Sequence, residues 1–151
     1  MTVLLDLIKQ LRDKTSAGVA DVRQALEDSK GDLKRAEELL RKKGFEKAAK
    51  KGDRVTNAGL IESYVHQGRV GALVEVACET DFVARTDEFK TLTHEIAMQV
   101  ASMNPKDNSA LLKQEYIRDP SKTIADLIKE AIAKLGENIT VGRFSRFELG
   151  K

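Results

Sequence analysis

Val70-Gly71-Ala72-Leu73-Val74-Glu75-Val76-Ala77-Cys78-Glu79-Thr80-Asp81-Phe82-Val83-Ala84 decides the fold, because its apolar period changes partway along. As far as Cys78, the residues Val70, Ala72, Val74, Val76 and Cys78 alternate with Gly71, Leu73, Glu75 and Ala77, the period of two that a β-strand requires. Beyond Ala84, Phe89, Leu92, Ile96, Val100 and Met103 recur at three- and four-residue spacing, which predicts a helix over 87–103. Between the two, Thr80 has the hydroxyl of an N-cap, and Asp81 lies in a first turn, where the helix dipole favours negative charge. On pattern alone this is a capped helix start, with Phe82 turned into the core.

Working outward, Leu60 to His66 forms a second strand, joined to Val70–Glu79 through the hairpin signal Gln67-Gly68. Asn138 to Leu149 alternates as a third, with Ile139, Val141, Phe147 and Leu149 on one side. After the break at Asn104-Pro105, a short helical stretch is expected around Leu111 to Ile117, ended by Pro120. Thr123 and Asp126 then make a capping-box start for the stripe Ile124, Leu127, Ile128, Ala131, Ile132 and Leu135, which Gly136 stops. An antiparallel sheet of about three strands covered by helices is an α+β core.

Upstream there are only helical signals. Leu4, Leu7, Ile8 and Leu11 make one stripe, Val19, Val22, Ala25 and Leu26 a second, and Leu33, Ala36, Leu39 and Leu40 a third that opens after Gly31-Asp32 and closes at Gly44. The expected division is a three-helix bundle over residues 1–45, a basic, partly helical linker over 46–57, and the α+β core over 58–151. So small a bundle has few side chains to bury, and its stability should be modest.

The 151 residues are 41% hydrophobic and 33% charged, the composition of a globular chain with charged helix surfaces. No apolar run approaches a membrane span, and the N-terminus reads as neither signal nor transit peptide, so a cytoplasmic protein is expected. The single cysteine, Cys78, excludes an internal disulfide and reads as a small core residue, leaving a disulfide between two chains open. The net charge of +2 divides into +4 over residues 1–57 and −2 over the rest, with Arg41, Lys42, Lys43, Lys47, Lys50, Lys51 and Arg54 crowded together. Only Phe45 interleaves that run, so a solvated surface fits it better than a nucleic-acid track.

Catalytic and cofactor chemistry find no footing. There is no phosphate-cradling glycine loop, His66 and His94 lack partners at metal-ligand spacing, and Cys78 lies within a strand, where nothing activates a thiol. Glu79 and Asp81 are two residues apart, but no pocket recommends them for acid–base work. The expectation is a binding protein, without cofactor or metal.

The run Thr80-Asp81-Phe82-Val83-Ala84 closely resembles the signature of the elongation factor Ts family, the guanine nucleotide exchange factors of the translational GTPase elongation factor Tu. Ordered matches extend the resemblance over nearly the whole chain: Leu11 to Gly18 with Asp21 and Ala25-Leu26, Lys47-Ala48-Ala49-Lys50-Lys51, His94 to Ala101, and Leu135-Gly136-Glu137-Asn138-Ile139. The resemblance implies that the N-terminal bundle is similar to a ubiquitin-associated domain. It also implies that Asp81 and Phe82 wedge between two helices of the GTPase and disturb its Mg²⁺ and phosphate site, with Thr80 and Val83 framing the wedge. A second contact, to the GTPase nucleotide domain, falls on Arg12, Val19 and Ala20. His94 and Met98 are further contact candidates, although His94 also reads as a surface or core residue. Where the family usually has Gly-Ala-Gly-Met-Met-Asp, Ser16, Val19 and Ala20 replace the first Gly and both Met, reducing the contact area on offer. Ala77 stands where Asn commonly precedes the cysteine. With room for one core only, the chain resembles the short type of the family, in which two chains pair, so a homodimer is expected. A ubiquitin-associated-like adaptor, or a basic RNA-binding protein using residues 41–54, is the alternative, and neither accounts for residues 58–151.

Overall fold

The computed structural model describes residues 2–151 and is α+β. Three helices, α1 (Thr2–Thr15), α2 (Val19–Asp28) and α3 (Leu33–Lys50), open the chain. They enclose a small core of Ile8, Leu11, Val22, Ala25, Leu26, Ala36 and Leu40. The stripes are shorter than the sequence implies, for Leu4, Val19, Leu33 and Leu39 are exposed: a bundle of only three helices buries the inner part of each apolar face and no more. As expected, the Asp32 carboxylate caps α3 by accepting the Arg35 N–H.

α3 does not close at Gly44. It runs on to Lys50, so residues 46–50, expected to begin the linker, are its last turns, and the irregular connection is 51–57. Gly44 is there for contact: a Cβ at this position would lie 3.1 Å from that of Ala133, where α3 packs against a helix of the core. One turn later Ala48 is buried in the core cluster itself, so packing crosses the boundary between bundle and core.

The core is a three-stranded antiparallel sheet, β1 (Ala58–His66), β2 (Val70–Cys78) and β5 (Ile139–Glu148), in the order β1-β2-β5. The β1–β2 turn has Gln67 and Gly68 both at positive φ, the conformation that matches a tight hairpin to strand twist. Gly59 is obligatory: at φ +143° a side chain is disfavoured, and a Cβ would fall 2.2 Å from the Val76 carbonyl oxygen. On the inner face Ala72, Val74, Val76 and Cys78 meet α5 (Asp87–Met103), whose Phe89, Leu92, Ile96 and Val100 are buried. α5 ends at Asn104 in the left-handed conformation, at the expected break.

Two expectations fail here for definable reasons. Residues around Leu111 to Ile117 form α6 (Asn108–Lys113), followed by a hairpin of β3 (Glu115–Tyr116) and β4 (Asp119–Thr123), fastened by buried Gln99, whose amide donates to the Glu115 carbonyl and accepts the Ile117 N–H. Phe147 and Leu149 do not share a face with Ile139 and Val141. A bulge opposite Glu75 adds a residue to β5 and inverts its alternation, so Phe144 and Arg146 turn inward while Phe147 is 78% exposed. Arg143 fixes the bulge, donating from its backbone N–H, Nε and Nη2 to the Glu75 carboxylate, and these bonds hold that carboxyl below its ordinary range. Finally α7 (Ile124–Leu135) starts with the full Thr123/Asp126 capping box and buries Ile124, Ile128 and Ile132.

Among the described residues no helix covers the outer face of the sheet. Ile61 and Val65 from β1, Leu73 from β2 and Phe147 from β5 stand on it, each more than half exposed. Among the described residues no helix is long and apolar enough to cross a membrane.

Candidate functional site

The sequence around Thr80 makes a sharp corner. β2 ends at Cys78, the chain bends at Glu79, and after the extended Thr80 it turns into α4 (Asp81–Ala84), a single helical turn. The Thr80 hydroxyl caps it by accepting the Val83 N–H at 3.4 Å. Val83 and Ala84 point into the core, which leaves Asp81 and Phe82 to project outward. Phe82 is 88% exposed, the most exposed of the large hydrophobic side chains among the described residues. The pattern-based placement of its ring in the core is therefore wrong: the one-turn helix buries its other side.

Apolar area left in water forgoes roughly 1.5–3 kcal/mol of burial for a phenylalanine, so a bare ring on a rigid corner contributes little to the fold and is free to enter a partner. Cys78, just beneath, is fully buried; burial, and then the nearby Glu137 carboxylate, push its thiol up from the ordinary range. A disulfide between chains through Cys78 would first require the strand to open.

The other candidate residues lie elsewhere. Arg12 and Val19 line one groove of the bundle together with Leu4, Leu5 and Ile8, and Ala20 is exposed beside Val19. Neither leucine is a contact candidate in the sequence, where Leu4 reads as part of a buried stripe and Leu5 lies outside it. His94 is exposed on α5 and meets the Tyr64 ring edge-on, 5.8 Å between centroids, while Tyr64 and His66 share a hydrogen bond of 2.9 Å. Met98 is half-buried under Arg118, whose guanidinium lies 3.6 Å from its sulfur. So the structure gathers Thr80 to Val83 on one corner and Arg12 with Val19 in one groove, while His94 and Met98 stand one turn apart on α5.

Of the seven cations between Arg41 and Arg54, four face carboxylates: Lys43 and Lys47 share Asp21, Arg41 meets Glu130, and Arg54 meets Glu79. The double pairing holds the Asp21 carboxyl below its usual range. Phe45 has Arg41 and Lys129 over its ring. Among the described residues no three His, Cys, Asp or Glu gather as a metal site.

Known proteins of similar sequence agree with the signature. The family model described as Elongation factor TS matches residues 79–151, which begin at the corner. The chain is similar to the elongation factor Ts of Thermotoga neapolitana, 44% identical over 100% of this chain and 99% of the relative. It is 43% identical to that of Coprothermobacter proteolyticus over the full length of both. For a Thermoanaerobacter species the identity is 43%, over 95% of this chain and 93% of the relative. These alignments run over 190 to 197 positions against the chain's 151 residues, so the relatives carry residues between the matched segments that this chain lacks.

Proposed function

The chain belongs to the elongation factor Ts family, and from that premise we propose that it is the guanine nucleotide exchange factor of elongation factor Tu, a binding protein acting during translation elongation. The observation that carries the reading is the Phe82 ring, 88% exposed on a capped corner that needs none of its area. Inserted between two helices of the GTPase, the ring would gain the burial it lacks in the free chain, and Asp81 beside it would meet polar groups at the rim. A factor that binds the nucleotide-free GTPase more tightly than the GDP-bound form weakens GDP by the same ratio, so differential affinity accounts for the acceleration without bond chemistry. Displacement of the elements that hold Mg²⁺ and phosphate is the structural form of that difference.

The bundle, residues 1–45, serves as a docking unit through Arg12, Val19 and Ala20, widened by the exposed Leu4 and Leu5 in the same groove. His94 and Met98 supply flanking contacts. Two chains pair through the uncovered sheet face, where Ile61, Val65, Leu73 and Phe147 form an apolar surface that a two-fold axis would bury against itself. The test is the release rate of labelled GDP from elongation factor Tu with and without the chain: an unchanged rate overturns the reading.

A further inference from the structure

The turn Gly136-Glu137-Asn138 has no part in the exchange reading, yet it fastens the corner that presents Phe82. The Thr80 backbone N–H donates to Glu137 Oε1 at 2.9 Å, and the Thr80 hydroxyl donates to Glu137 Oε2 at 2.7 Å. In return, the Asn138 backbone N–H donates to Glu79 Oε2 at 2.6 Å. Two adjacent pairs, Glu79-Thr80 and Glu137-Asn138, thus each lend a carboxylate to the other's amide. Buried Asn138 extends the arrangement, its side-chain amide donating to the carbonyls of Arg54 at 2.9 Å and Gly52 at 3.3 Å, while the Arg54 guanidinium lies 3.6 Å from Glu79.

Resting on the exchange reading above, we propose that this reciprocal clasp is a positioning device: Glu137, with Glu79 and Asn138, sets the direction in which Phe82 leaves the corner and ties it to the connection from α3. A helix of one turn has no stability of its own, and the four N–H groups at its start need partners from outside. A projecting ring cannot orient its own backbone, because nothing in the free chain packs against it. The Thr80 hydroxyl does both jobs at once, donating to Glu137 while accepting from Val83, and a charged acceptor on one side strengthens the cap on the other. The Thr80 carbonyl is held too, accepting the Cys78 thiol and the Ala84 N–H, each at 3.2 Å. Since Thr80 itself is exposed and Glu137 half-buried, these bonds act on the local geometry more than on global stability.

The test compares the full chain with Glu137→Ala, Glu137→Gln, Phe82→Ala and the double variant Glu137→Ala/Phe82→Ala, reading amide hydrogen exchange and the release of labelled GDP. Glu137→Ala is expected to lower protection of the Thr80 and Val83 amides tenfold or more, leave Val74 and Val76 protected, and slow GDP release about tenfold with Phe82 still present. Glu137→Gln, which keeps one acceptor oxygen, recovers part of both. Because Glu137 acts through Phe82, removing both costs little more than removing Phe82 alone. Unchanged protection at Thr80 overturns the clasp, and so does lost protection with normal GDP release or a double variant whose losses multiply. If Glu137→Ala does not fold, Glu137→Gln carries the same comparison. Failure of the exchange reading shows separately, as a wild-type chain that leaves GDP release unchanged while Thr80 is still protected through Glu137.

Discussion

Replacing Phe82 with Ala separates a ring that serves a partner from one that serves the fold. With 88% of the residue exposed, about an eighth of the roughly 1.5–3 kcal/mol of a fully buried phenylalanine is at stake, a few tenths of a kcal/mol. At roughly 2–4 °C per kcal/mol for a chain of this size, the melting temperature should fall by about 1 °C. A core phenylalanine would instead cost roughly 3–5 kcal/mol and about 10 °C or more. At the GTPase the order reverses: an aromatic hot spot is worth roughly 2 kcal/mol or more, which slows GDP release at limiting factor by about thirtyfold. The assays are thermal melting by circular dichroism and stopped-flow release of labelled GDP, on the same preparation. A Phe82→Ala chain that melts 10 °C early and still releases GDP at the wild-type rate would refute the reasoning.

The same structure sets further expected outcomes. Leu73→Asp on the uncovered sheet face should convert a dimer to a monomer in light scattering with little loss of melting temperature, and a wild-type chain that is monomeric at micromolar concentration would rule the pairing out. Gly59→Ala should destabilise by roughly 2 kcal/mol or more, seen as a lower urea midpoint, because its Cβ would meet the Val76 carbonyl. Burial and the hydrogen bond to Glu95 push the Tyr116 hydroxyl up to about 12 from 10.0. The neutral form is the one the fold favours, so the contribution is whole below pH 10 and is lost as pH rises towards 12; an alkaline absorbance titration should show a late tyrosine that Tyr116→Phe removes. Asp21 is the opposite case: its carboxyl is held low by Lys43 and then Lys47, so its contribution is present above the ordinary carboxylate range and fades as pH falls through the lowered value. Asp21→Asn should flatten the acid limb of the stability profile measured by urea titration.

What could be read in the sequence was what repeats. β2, α5 and α7 declare themselves by unbroken period, and the capping residues Thr80 and Thr123 bond as expected. Where one residue changes the phase, the reading fails: the bulge opposite Glu75 sends Phe147 outward, and nothing local in Gly142-Arg143 announces it. Gly44 looks like a helix stop and is a contact, because the reason for a glycine there lies at Ala133, far along the chain. The β3–β4 hairpin depends on Gln99, again a distant residue. For the site, the identity of the corner was legible from Thr80 to Ala84, whereas only the family resemblance turned Phe82 towards a partner, since period alone cannot tell which side of a single turn faces the core. The partner of Thr80 was out of reach for the same reason: Glu137 is 57 residues away.

An uninterrupted α3 makes the spacing of the molecule's two ends a matter of screw geometry. Its 18 residues form a rod about 27 Å long at 1.5 Å per residue, with one end in the bundle and the other against α7. Each residue inserted between Leu40 and Gly44 would advance the bundle by that rise and also swing it about 100° around the rod, taking the groove at Arg12 and Val19 out of phase with the ring at Phe82. Two full turns, about seven residues, would restore the heading and leave only a longer reach. Length in this helix can therefore vary without loss of alignment only in steps close to whole numbers of turns, about seven or eleven residues, whereas the irregular connection at 51–57 imposes no such rule.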